Sequence, residues 1–240
     1  MSFTASIRLS GMMALFLTLA ACGSKGTDTP TPVVVTEKTT VMFFNGAANG
    51  NSFTLNGTAL GTAVDASKST GYLPVSYTPT ATNTVALKAS TSETVVSKAV
   101  TFTKDVSMSL FTWRELLSAG TPQTFGVKLV TDNLTAPSAG KAKIRVALMT
   151  RDGATAYNIR SVFISTQVEK TIFSNVKLGD VTDFIDIDPG TYGFGFDRAG
   201  GSATDGGMTN VVLAAGKIYT ISTAGLFTSG SFVGSAVAHN

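Results

Sequence analysis

Lys141-Ala142-Lys143-Ile144-Arg145-Val146-Ala147-Leu148 alternates without a break, with its lysines and arginine on one face. Side chains of a strand point alternately to its two faces, so the stretch reads as one half-buried antiparallel strand. Downstream the pattern continues. Tyr157-Asn158-Ile159, Ser161-Val162-Phe163-Ile164 and Thr171-Ile172-Phe173 are strand runs, and Phe184-Ile185-Asp186-Ile187 leads into the turn Asp188-Pro189-Gly190. Tyr192-Gly193-Phe194-Gly195-Phe196 alternates aromatics with glycine. Val211-Val212-Leu213 and Ile218-Tyr219-Thr220-Ile221-Ser222 flank the turn Ala215-Gly216-Lys217.

Upstream, Thr131-Asp132-Asn133-Leu134-Thr135-Ala136-Pro137-Ser138-Ala139-Gly140 interrupts the pattern and reads as a junction between two domains. Before it come Thr40-Val41-Met42-Phe43-Phe44, a run from Ser52 to Leu55 closed by the hairpin signal Asn56-Gly57, and Gly71-Tyr72-Leu73-Pro74-Val75. Val85-Ala86-Leu87-Lys88, residues 95–102, Met108-Ser109-Leu110-Phe111-Thr112-Trp113 and residues 125–130 complete the set, with Lys104-Asp105 as a tight turn. Only Trp113-Arg114-Glu115-Leu116-Leu117 could start a helical turn, and it is too short to stand alone. Threonine, serine, glycine, valine and alanine dominate, which favours strands and turns.

The two halves repeat each other. Val41-Met42-Phe43-Phe44 corresponds to Ile144-Arg145-Val146-Ala147, and Gly71-Tyr72-Leu73-Pro74-Val75 to Asp183-Phe184-Ile185-Asp186-Ile187. Residues 107–111 correspond to residues 217–221. Some seven short antiparallel strands per half predict an all-β chain of two tandem Ig-like, Greek-key β-sandwiches, at 39–135 and 141–228. Residues 229–240 form a last strand or a tail.

The junction 131–137 running into 140–146, with Asp188-Pro189-Gly190-Thr191-Tyr192 and Leu213-Ala214-Ala215-Gly216-Lys217-Ile218-Tyr219-Thr220, resembles lipoproteins of domain-of-unknown-function family 4397. The likeness extends over most of residues 39–225 and is clearer in the second half. It implies tandem β-sandwiches in a cell envelope, with no activity to carry over. Members typically follow the first strand with His-Ala-Ser-Pro or Asn-Leu-Ser-Pro. This chain has Leu148-Met149-Thr150-Arg151-Asp152-Gly153 in one half and Asn45-Gly46-Ala47-Ala48 in the other.

The N-terminus supplies an address. Arg8 precedes an apolar run over residues 11–20, of secretory length and too short for a spanning helix. Leu19-Ala20-Ala21-Cys22 then resembles the bacterial lipobox. Cys22 is the chain's single cysteine, so it has no disulfide partner within the chain, and lipidation accounts for it. Residues 1–21 are expected to be a lipoprotein signal peptide, and residues 22–38 a lipidated N-terminus and flexible tether. With Gly23 and Ser24 after the cysteine, the outer membrane is expected rather than the inner. The acyl chains on Cys22 would be the membrane attachment, since two or more such chains hold a protein stably.

Removing residues 1–21 takes away Arg8 alone, leaving 17 lysine and arginine residues against 15 acidic ones. That balance does not point to nucleic acid. Catalytic signals are weak throughout. The one histidine, His239, is placed on a C-terminal tail, where a triad or zinc site would lack rigid support. Ser138-Ala139-Gly140-Lys141 has Ser-x-x-Lys spacing but no helix to bring its ends together. Asp180, Asp183, Asp186 and Asp188 read as a solvated sheet edge, and Trp113, Tyr72, Tyr77, Tyr192 and Tyr219 as core aromatics. Loops 149–153 and 200–207 are candidate recognition loops. The expectation is a non-catalytic, lipid-anchored envelope protein with no metal and no cofactor, binding a glycan or an envelope protein. The rival is an assembly subunit that exchanges strands, with residues 231–238 as donor.

Overall fold

Strand propensity and turn chemistry build sixteen strands and no helix among the described residues of the computed structural model, which are 35–47, 50–89, 94–114, 125–150, 156–201, 204–227 and 231–240. The signal peptide, Cys22 and the tether up to residue 34 lie outside the described residues, as do 151–153 of the first candidate loop and 202–203 of the second. The first sandwich holds β1 (Glu37–Gly46), β2 (Asn51–Leu55), β3 (Thr58–Val64), β4 (Ser69–Tyr77), β5 (Asn83–Ala89), β6 (Thr94–Val100), β7 (Ser107–Arg114) and β8 (Phe125–Thr131). The second holds β9 (Ala142–Ala147), β10 (Tyr157–Phe163), β11 (Val168–Val176), β12 (Ile185–Ile187), β13 (Gly190–Arg198), β14 (Thr204–Leu213), β15 (Ile218–Ala224) and β16 (Val233–Ala238).

Four sheets result: β3-β2-β5-β6 and β4-β1-β7-β8 in the first sandwich, β12-β9-β15-β16 and β11-β10-β13-β14 in the second. Adding eight to each strand number of the first pair gives the second pair, so the repeat is complete, with eight strands per copy rather than seven. Neither copy is wholly antiparallel, because β1 runs parallel to β7 and β9 parallel to β15. The hairpin expected at Asn56-Gly57 joins β2 to β3, with both residues at positive φ, 47° and 85°. Pro74 sits in β4, at the edge of its sheet, where a missing N–H is tolerated.

Pairing fixes the alignment of the copies. Val41 opposes Leu73 and Met108, while Ile144 opposes Ile185 and Tyr219. Two of the correspondences read from sequence therefore hold. The third slips by one residue, since Met108 matches Tyr219 and Ser107 matches Ile218. A one-residue slip moves a strand's side chains to the opposite face, so the correction changes which residues are equivalent. Two turn bonds agree with it: Asp132 N–H donates to Ser107 O at 2.8 Å, and His239 N–H to Ile218 O at 2.9 Å.

Each sandwich has its own core. Val41, Phe43, Phe53, Leu87 and Leu110 fill the first, and Ile144, Val146, Ile159, Phe196 and Ile221 the second. A third cluster, Met42, Phe44, Phe111, Ala147 and Met149, lies between sheets β4-β1-β7-β8 and β12-β9-β15-β16. The chain is thus four sheets deep, and its two inner sheets are covered on both faces. That corrects the opening stretch: Arg145, placed on an uncovered face by its alternation, is 2% exposed. Strand β15 is buried along its whole length.

Candidate functional site

The layer between the inner sheets carries a closed polar circuit. Each member reaches it from a strand of an inner sheet or the residue next to one, because inner-sheet side chains alternate between sandwich core and this layer. Asp132 follows β8, Tyr72 is on β4, Ser109 on β7, Arg145 on β9, Thr220 on β15, and His239 follows β16. The Asp132 carboxylate only accepts, so Tyr72 Oη–H donates to Oδ2 at 2.5 Å and Ser109 Oγ–H at 2.7 Å. With its proton committed, Tyr72 Oη accepts from His239 Nδ1–H at 2.7 Å. His239 Nε2 then accepts from Thr220 Oγ1–H at 2.7 Å, and Thr220 Oγ1 accepts from Arg145 Nε–H at 2.9 Å. Arg145 Nη2 donates to Ser109 Oγ at 2.9 Å and lies 2.7 Å from Asp132 Oδ1, a contact of charge rather than of aligned N–H. This network assigns a neutral, Nδ1-protonated imidazole to His239.

The surroundings agree with that assignment. Burial first, and then the nearby Arg145 charge, push the His239 imidazole down to about 4. Burial also lowers the Arg145 guanidinium from its ordinary value, with Asp132 pulling the other way. The Tyr72 phenol is raised, by burial and then by its bond to Asp132. Phe184 packs against the Arg145 guanidinium, 4.5 Å from ring centroid to Cζ, and edge-on to His239.

The equivalences reveal how this layer is built. Ser109 aligns with Thr220, Asp132 with His239, Met42 with Arg145, and Tyr72 with Phe184. The copies face each other through the same surface, as in a two-fold dimer, yet three of these four pairs of equivalent positions have diverged in chemistry, and Ser109 and Thr220 keep a hydroxyl in both copies. The rest of the layer follows the same symmetry. Ser67, before β4, donates to Ser222 O at 2.8 Å, and its counterpart Gly179 packs on the Trp113 ring. Trp113 also lies against Gly126. A Cβ built on Gly179 would stand 2.6 Å from the indole, and Gly179 has a φ of 82°, so glycine is required there twice over.

His239 therefore belongs to a buried network rather than to a fraying tail, and residues 229–240 contain β16, paired along β15. The other sequence candidates separate. Lys141 Nζ pairs with Asp188 Oδ1 at 2.6 Å, and Ser138 Oγ–H donates to Asp186, which lowers that carboxyl. Asp180 accepts from Lys177 N–H at 2.9 Å. Among the described residues no group of histidine, cysteine and carboxylate side chains is arranged to hold a metal ion. Tyr77, Tyr192 and Tyr219 are buried in sandwich cores, and Tyr72 and Trp113 are half-buried between the sheets. Thr204, Asp205, Gly206 and Gly207 of the second candidate loop belong to β14, with Gly206 packed on Phe227.

A cleft of about 480 Å³ opens between the edges of β11 and β12 in the second sandwich. Phe163, Ile172, Ile185 and Ile187 form its walls and are continuous with the sandwich core. Its lip carries Val168, 61% exposed, and Lys170. The first sandwich differs here: β3 meets β4, and Leu73, the counterpart of Ile185, lies over Gly61. The opening is thus a property of the second copy, not a requirement of the topology. Sequence reading missed it because the two edges come from strands that are unremarkable on their own.

A search of curated proteins gives no match. The model of a domain of unknown function, DUF4397, matches residues 39–154. The matched stretch takes in the 131–146 junction and ends before the second-half motifs at 188–192 and 213–220. Across its first sandwich and the first strand of its second, the chain matches the DUF4397 family model.

Proposed function

We propose that the chain is a non-catalytic binding module of the bacterial cell envelope, held by acyl chains on Cys22, with the second-sandwich cleft as the seat of its partner, a glycan or a protein. The cleft carries this reading: it has the volume range of ligand sites, apolar walls and a few polar groups at its lip. The side chains that resemble catalytic groups, Asp132, His239, Ser109 and Tyr72, are bonded to one another between sheets. Pairing of β16 within its own sheet favours binding over strand donation by residues 231–238.

Two experiments test the proposal. In fractionated cells the parent chain is expected to pellet with outer membranes, and a Cys22→Ser variant to be released. Equal pelleting would remove the anchor from the account. The released variant should sediment with isolated envelopes, and filling the cleft with Ile187→Trp should reduce that at least fivefold. Unchanged sedimentation would remove the cleft.

A further inference from the structure

We infer that the cleft receives an extended polypeptide carrying an acidic residue, added as a strand along β11. The inference rests on the cleft being the binding site and chooses among its ligand classes. Strand β11 ends its sheet and β12 ends the opposing one, so among the described residues each leaves one edge without a strand partner. An open edge is a row of N–H and C=O groups at the spacing of another extended backbone. Val168 and Lys170 stand two residues apart, opposite Phe163 and Ser161, and all four line the cleft. A strand added beside β11 would send alternate side chains onto Ile185 and Ile187 of the facing sheet.

A glycan fits less well. Tyr192 lines the cleft but is 5% exposed as a residue, and its hydroxyl donates to Asp188 O at 2.9 Å, so it offers no free face for stacking.

Charge narrows the partner. Asp188 is paired with Lys141 and Asp186 accepts from Ser138, whereas Lys170 has no ion-pair partner among the described residues. A lysine at the lip of the cleft on an edge strand blocks indiscriminate pairing, because any added strand must lie beside it. A strand with a carboxylate opposite Lys170 removes that obstacle, so the residue excludes most strands and admits a few.

The test uses the soluble Cys22→Ser chain and a displayed library of nonapeptides. Selected peptides are expected to alternate apolar residues and to carry glutamate or aspartate. Lys170→Glu should weaken the best acidic peptide at least tenfold, and should bind the peptide with that acid changed to lysine at least as well as the acidic one. N-methylation of one alternate set of peptide nitrogens should cost at least tenfold, and of the other set little. Indifference to N-methylation or to the charge swap overturns the inference. Dodecanoate and chitotetraose are titrated alongside. If either binds and Ile187→Trp abolishes it while no peptide binds, the ligand class falls and the binding reading survives. If none of the three binds, both fall. Circular dichroism and Trp113 fluorescence show whether each variant folds.

Discussion

Replacing Asp132 by Asn leaves a guanidinium with 3% of its side chain exposed and no carboxylate beside it. Replacing Arg145 by Met leaves a carboxylate with no exposed side-chain surface and no cation. Removing one partner of such a pair typically costs about 3–5 kcal/mol, because the remaining charge stays buried and uncompensated. Removing both is different. The asparagine still accepts from Tyr72 and Ser109, Thr220 and Ser109 lose only a donor, and methionine fills the stem volume of arginine. The double variant should therefore lose only about 1–2 kcal/mol, the net value of one or two buried hydrogen bonds. The coupling energy in the double-mutant cycle should then be at least about 3 kcal/mol. Urea unfolding measures it, followed by far-ultraviolet circular dichroism and by fluorescence of Trp113, the chain's single tryptophan, which sits between the inner sheets. In the single variants the Trp113 transition should precede the loss of ellipticity, since the inter-sheet layer opens before either sandwich melts. Single losses below about 1 kcal/mol, or effects additive within about 0.5 kcal/mol, would refute the circuit as the clamp between the copies.

Acid should open the same layer. The folded state holds the His239 pKa below its unfolded value, so stability is complete above about pH 6.5 and falls as pH drops through about 4. The loss approaches about 3 kcal/mol at the acid end, and His239→Gln should flatten that segment of a urea-midpoint profile against pH; an unchanged profile would show that another group titrates there. Gly179→Ala should lower stability by about 2–3 kcal/mol and shift the Trp113 emission, because the new methyl displaces the indole and the backbone is strained at positive φ. A variant with the parent's emission and midpoint would mean that the loop relaxes freely. Gly140→Ala, at a similar φ of 77° but in open space, is its control for backbone strain alone.

The all-β class was legible because local signals agree with the topology. Asn56-Gly57 makes its hairpin, strand alternation marks the inner-sheet strands, and the copies align at Val41 with Ile144 and at Leu73 with Ile185. The third match slipped because Ile218 and Tyr219 are both buried, so hydrophobicity alone could not choose the register. The layer between the copies was not legible. A strand with lysine and arginine on one face looks the same whether that face meets water or a polar sheet, and Arg145 meets the sheet. Asp132 lies in a stretch with every compositional mark of a connector, and His239 is the penultimate residue. The partner they share, Tyr72, lies 60 residues from Asp132 and 167 from His239, beyond any local pattern. The cleft escaped for the same reason, being a gap between two edges and not a motif.

The diverged equivalents across the middle of the molecule have a consequence for its ancestry and its bench handling. If a copy of the first half met another first half through this face, two Asp132 carboxylates would be enclosed with no cation. Two second halves would enclose a pair of Arg145 guanidiniums with no anion. Each half is thus barred from its own twin and fitted to its sibling. Expressed apart, the halves should stay single, and on mixing they should recombine one to one.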